Sequence, residues 1–124
     1  MNKKRVLSQL QERYPDRSVI ALPDDNPTEI LCEVEPTSEH PEYSKAISII
    51  DSSVPHYHEK ITETYKVLDG SLKVVVDGIV HELDEGDELT IQPGSIHYAI
   101  GDETWIECKS VPGWIKDDHI LVKE

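Results

Sequence analysis

Two histidines two residues apart, His56 and His58, followed by Glu63 and much later by His97, constrain this chain more than any other feature. Side chains alternate across an extended strand, so His56 and His58 leave the backbone on one side and aim at a common centre. Glu63 follows after a short connection, and a histidine on a returning strand completes a cage of four ligands. Three imidazoles and one carboxylate suit a borderline first-row ion, whereas magnesium and calcium favour all-oxygen shells. A fold for this chain must therefore bring residues 56–63 and residue 97 to one point.

The rest of the sequence predicts strands that could do so. Short apolar runs at residues 18–22, 30–35 and 43–50 are separated by the turn formers of 23–27 and 36–41. Asp77-Gly78 divides residues 72–76 from 79–83, a two-residue hairpin signal. Asp69-Gly70, Glu85-Gly86-Asp87 and Pro93-Gly94 mark further turns around a strand at 88–92. The strand carrying His97 follows, and residues 104–111 supply another. Ahead of them all, Val6, Leu7 and Leu10 recur at helical spacing within residues 2–13. They predict a short amphipathic helix that ends near Tyr14-Pro15 and lies on the exterior of the strand-rich body.

His56, His58, Glu63 and Gly70, then Gly86, Gly94 and His97, resemble the two signature motifs of the cupin superfamily. Gln92 holds the usual proline position with Pro93 beside it, and Gly101 replaces the usual closing asparagine. Neither departure removes a ligand. The resemblance implies an all-β fold, the double-stranded β-helix or jelly-roll barrel, in a single domain. Residues 1–17 would form the helical segment packed on the barrel, and residues 18–124 the barrel itself; a length of 124 residues suits one core. The first block is also similar to the cupin part of mannose-phosphate isomerases, a similarity shared with much of the superfamily.

Alternation extends the site beyond its ligands. Tyr65 and Val67 share the face of Glu63, while Ser95 and Ala99 share that of His97. Tyr65 is a candidate catalytic hydroxyl; its alternative is to fill the interior with a ring. His81 alternates with Ile79 and Leu83, which makes it a barrel-lining residue or, alternatively, an acid–base group or fifth ligand. His40 and His119 lie in turn-like sequence and are expected to be exposed. Tyr57, Ile96, Tyr98 and Ile100 fall on the face opposite the ligands and call for a cover. The N-terminal helix or a partner subunit would serve, and the resemblance to small cupins implies a homodimer.

Iron, manganese, nickel or cobalt bound by four protein ligands would leave adjacent positions for water, substrate or dioxygen, whereas a four-coordinate zinc would be closed. The first reading is accordingly a metal-dependent small-molecule enzyme, either dioxygenase-like or isomerase/lyase-like. The second is a non-catalytic metal- or ligand-binding module, and the third a barrel braced by zinc. The superfamily hosts many chemistries on one scaffold, so the motifs do not select among them.

Charge narrows the partners. Twelve Lys and Arg against 25 Asp and Glu give a formal net charge of -13, which opposes binding to nucleic acid or anionic membranes through a basic surface. No helix-turn-helix pattern accompanies the barrel. No apolar run approaches the roughly 20 residues of a membrane span, and the basic Lys3-Lys4-Arg5 is followed by no signal-peptide core, so a cytoplasmic location is expected. Cys32 and Cys108, far apart and without CxxC spacing, read as reduced packing residues. All the arginines, Arg5, Arg13 and Arg17, precede the barrel. With no bidentate clamp in the body, a strongly anionic substrate is disfavoured unless Lys45, Lys60 and Lys109 gather at the metal.

Overall fold

The computed structural model describes residues 1–122; residues 123–124, the end of the expected barrel segment, lie outside the described residues. Helix α1 (Lys3–Arg13) begins where the Asn2 side chain accepts the Arg5 N–H at 3.0 Å. It ends where Tyr14 N–H returns to the Leu10 carbonyl and Pro15 follows. The strands are β1 (Val19–Leu22), β2 (Glu29–Glu35), β3 (Ser44–Ser52), β4 (His56–Tyr57), β5 (Thr62–Asp69), β6 (Leu72–Val76), β7 (Ile79–Leu83), β8 (Glu88–Ile91), β9 (His97–Val111) and β10 (Ile120–Leu121). All their pairings are antiparallel, and they form one curled sheet, the expected jelly-roll barrel.

Strand β9 organises that sheet. The sequence predicts separate strands around His97 and at 104–111, but the chain runs through both as one strand of 15 residues. Its first half pairs with β4 and β6, and its second half with β3 and β5. A register shift opposite Ile50–Ser52 bends it between the two halves. Gly101 sits at this bend because a Cβ there would lie 2.5 Å from Thr104 Oγ1 and 2.8 Å from the Ile50 carbonyl oxygen. The departure from the superfamily's closing asparagine thus has a steric cause. The Asp77-Gly78 hairpin joins β6 to β7 as expected, with both turn residues at positive φ, 49° and 81°.

Alternate residues of β2, β3 and β9 serve two cores. On one face the row Ile30–Ile49–Trp105, with Cys32 and Ile47, packs against Val6 and Leu10 of the helix. On the other, Ile50 and Ile106 join Tyr65, Val67, Leu72, Val74, Leu83, Ile91 and Ala99 inside the barrel. The helix is therefore on the barrel exterior, but it covers β2 and β3. It leaves the face of Ile96 and Ile100, which are 42% and 46% exposed, without a cover among the described residues.

Candidate metal centre

Short strand β4 lies between β9 and β10, and its pairing places His56 directly opposite His97. His58 follows on the turn leading to β5, and Glu63 points inward from β5 in step with Tyr65 and Val67. His56, His58, Glu63 and His97 are all buried, and one ligand atom from each lies within 4.8 Å of the others. This is the group the sequence predicts.

Each imidazole is held through Nδ1 by a main-chain carbonyl. His56 reaches the Val54 oxygen at 2.8 Å, His58 the Asp118 oxygen at 2.6 Å and His97 the Ser95 oxygen at 2.9 Å. A carbonyl only accepts, so each ring carries its proton on Nδ1 and presents a lone pair at Nε2. Those lone pairs face another acceptor: Nε2 of His58 and of His97 lie 3.1 and 3.0 Å from Glu63 Oε1. His58 Nε2 is buried without a sound hydrogen bond. Acceptors crowded in this way need a cation or a proton between them. Donors bound side by side at a right angle, each about 2.1 Å from one ion, lie about 3 Å apart, which matches both contacts. The donor set and its spacing fit a divalent transition ion.

The charges agree. Burial alone would raise Glu63, but the imidazoles of His58 and His97 outweigh it and hold the carboxyl well below the usual carboxylate range. Burial, reinforced by His97, lowers His56 to about 4, so this ring stays neutral and free to bind a cation at neutral pH. His58 loses by burial and gains more from Glu63, for a net rise.

The Cupin domain family description matches residues 50–106, which include all four residues. Rru_A2000 from Rhodospirillum rubrum, a cupin-2 domain, superposes with a TM-score of 0.74 at 15% identity over 90% of this chain and 79% of its own. The match to the cupin domain thus covers just under half of the chain, and the fold around it is that of a cupin barrel. Pac13 of Streptomyces, a nucleoside dehydratase also described with uridine, gives a TM-score of 0.76 at 12% identity over 89% and 88% of the two chains. An uncharacterized protein of Aquifex aeolicus (strain VF5) is 36% identical over 67 residues. That match spans 53% of this chain and 55% of the relative, about half the length of each.

Around the four residues the chain places further groups, some of them read from the sequence. Tyr65, buried, directs its hydroxyl toward Glu63 Oε1 at 3.5 Å; burial and then Glu63 raise its pKa well above that of a free tyrosine, so it remains a donor. Cys108, read as packing, lies opposite Tyr65 and donates from Sγ to Glu63 Oε2 at 3.3 Å. Burial and the same carboxylate raise its thiol far up, so it is a protonated hydrogen-bond donor rather than a nucleophile. Glu29 was not singled out; burial and then Glu63 raise its carboxyl to about 7. It falls on the interior face of β2, opposite Ile50, a placement visible only once β2 is paired with β3.

His119 corrects its expectation. It is half-buried, stacked on His56 with ring centroids 4.3 Å apart, and its Nδ1 is buried without a partner. The cause is the β4–β10 pairing, which folds the C-terminal segment over the site. His40 is likewise half-buried, stacked on Tyr43 and bonded through Nδ1 to the Tyr43 carbonyl. His81 lies half-buried on β7, opposite Val74, outside the four-residue group. The lysines do not gather. Lys45 pairs with Glu35 at 3.5 Å, Lys109 lies over the Tyr43 ring at 5.4 Å, and Lys60 is exposed. Lys45 and Lys109 share the helix-side face of β3 and β9, away from the barrel interior.

Proposed function

We propose that this chain is a cupin and a metal-dependent enzyme acting on a small, uncharged, oxygen-bearing molecule by proton transfer, in the manner of an isomerase or lyase. The observation that carries the reading is the set of three imidazoles, each fixed through Nδ1, whose Nε2 atoms converge with Glu63 Oε1. His56, His58, Glu63 and His97 would hold iron, manganese, nickel, cobalt or zinc. Such an ion supplies Lewis acidity toward a carbonyl or hydroxyl oxygen.

The chain's own residues supply the proton chemistry. Tyr65 keeps its proton and directs its hydroxyl toward Glu63. Glu29 on the interior face of β2, near half-protonated at neutral pH, can take up or release a proton there. His81, on the edge strand, is a second acid–base candidate. The lysines turned away from the interior favour an uncharged ligand, and the uridine described with Pac13 is of that kind. The exposed face of Ile96 and Ile100 suits a homodimer, and free Cys32 and Cys108 suit a cytoplasmic setting. No described helix is long and apolar enough to cross a membrane.

A dioxygenase is the second reading, favoured by the same donor set, and a binding module without turnover is the third. The test loads the chain with each metal in turn and incubates it in D2O with hydroxycarbonyl compounds and nucleosides, with and without air. Deuterium uptake or loss of water without oxygen consumption is expected. Oxygen consumption linked to product would establish the dioxygenase, and bound metal with no change in any compound would leave the binding module.

A further inference from the structure

The metal-bearing turn is held by a segment far away in sequence. Asp118, 6% exposed, closes a single 3-10 turn at Lys116–Asp118 and turns its carboxylate onto the turn between His58 and Glu63. Oδ1 accepts the Glu59 N–H at 2.8 Å, and Oδ2 accepts those of Lys60 and Ile61 at 3.1 and 3.2 Å. The main-chain oxygen of the same residue accepts Nδ1–H of His58 at 2.6 Å. The segment is anchored on both sides of Asp118. Upstream, Trp114 N–H donates to Ser44 Oγ at 2.9 Å and its carbonyl accepts from Thr37 Oγ1 at 2.7 Å. Downstream, Ile120 and Leu121 pair with Tyr57 and His56, and His119 covers the His56 ring.

A nearly buried carboxylate costs much unless it is paired, and the groups that meet this one are three backbone amides. Those amides belong to the few residues that separate two of the four converging side chains. One residue therefore fixes both the path of the turn and the tautomer of a ligand-grade histidine. Glu63 faces His58 across the site and cannot fix that tautomer, because it approaches the opposite nitrogen, Nε2.

We infer that Asp118 is a positioning residue for the metal centre: by clamping residues 59–61 and the Nδ1–H of His58, it presets His58 Nε2 toward the other three ligands. This rests on the metal-binding reading above. Groups that orient a ligating histidine in this way typically govern affinity by about 10- to 100-fold.

The test titrates the full chain with Ni2+ in competition with a chelator, for the wild type, Asp118→Ala, Asp118→Asn and His58→Ala. Nitrogen-15 NMR of the metal-free proteins reads the His58 tautomer in parallel. Asp118→Ala keeps the main-chain oxygen but frees residues 59–61 from the segment that carries it, so that oxygen is no longer held on Nδ1–H; Ni2+ binding should weaken about 10- to 100-fold and His58 should shift from pure Nδ1–H to a mixture of tautomers. Asp118→Asn keeps one acceptor oxygen and should weaken it about threefold, an intermediate loss that applies even if the alanine variant does not fold. A folded Asp118→Ala chain that binds Ni2+ within twofold of the wild type, with His58 unchanged, would overturn the inference and leave the metal reading intact. Wild type that binds no better than His58→Ala would instead sink the metal reading. In that case an unchanged tautomer in both Asp118 variants would overturn the clamp as well.

Discussion

The two faces of β2, β3 and β9 are made of alternating residues on the same strands, yet they do opposite work. On the helix side the row beneath the helix is apolar: Ile30–Ile49–Trp105 meets Val6 and Leu10, and each of these but Trp105 is fully buried, while Glu107, Lys45 and Lys109 lie further along the same face. On the interior side the cross-strand rows mix in polar groups: Glu29–Ile50–Thr104, Ser48–Ile106–Val67, Ala46–Cys108–Tyr65 and Ser44–Ser110–Glu63. The row that holds Glu63 is polar in all three positions. A strand of period two can thus assign stability to one face and chemistry to the other, and a one-residue slip in register would exchange them.

The largest expected effect falls on the helix side. Ile49→Ala removes a fully buried side chain and should lower stability by about 2–5 kcal/mol in urea unfolding, with metal stoichiometry unchanged. A comparable loss of metal would show that the faces are not separable. On the interior side, His58→Ala should remove metal-linked stabilisation, about 2.7 kcal/mol at a metal concentration one hundred times Kd. The metal-free barrel should stay folded in circular dichroism; an unfolded one would make the site a structural brace.

Next comes Tyr65→Phe, which deletes a hydroxyl and little volume. Turnover should fall about 100-fold with metal content unchanged, and an unaltered rate would remove Tyr65 from the mechanism. The smallest effect concerns Glu29. Its carboxyl titrates near 7 in the folded chain against 4.5 normally, so the folded state binds more protons than the unfolded one between those values. Stability should therefore fall as pH rises from about 4.5 to about 7. Glu29→Gln should be more stable than wild type at pH 8 by on the order of 1 kcal/mol, and no more stable at pH 4, when urea midpoints are compared. Equal differences at both pH values would mean that Glu29 is not titrating.

The same contrast explains what was legible in the sequence. His56, His58 and Glu63 lie within eight residues, and alternation along a strand is a local rule, so their convergence could be read directly. The Asp77-Gly78 hairpin and the N-terminal helix are local as well. Cys108, Glu29, Asp118 and His119 were misread or passed over because their placement depends on pairings between distant segments. Cys108 meets Glu63 only because β5 lies beside β9, and Asp118 meets residues 59–61 from 57 to 59 positions away. The continuity of β9 was hidden for a related reason: the bend at Gly101 interrupts the apolar pattern without ending the strand.

The central claim is that four side chains converge to hold one ion. Elemental mass spectrometry on untagged protein, beside a His56→Ala/Glu63→Ala control, tests it most directly. The account predicts close to one transition-metal ion per chain, lost in the control. Wild-type protein that holds no metal even after reconstitution with iron, manganese, nickel, cobalt and zinc would contradict it and leave a barrel whose histidines serve another purpose.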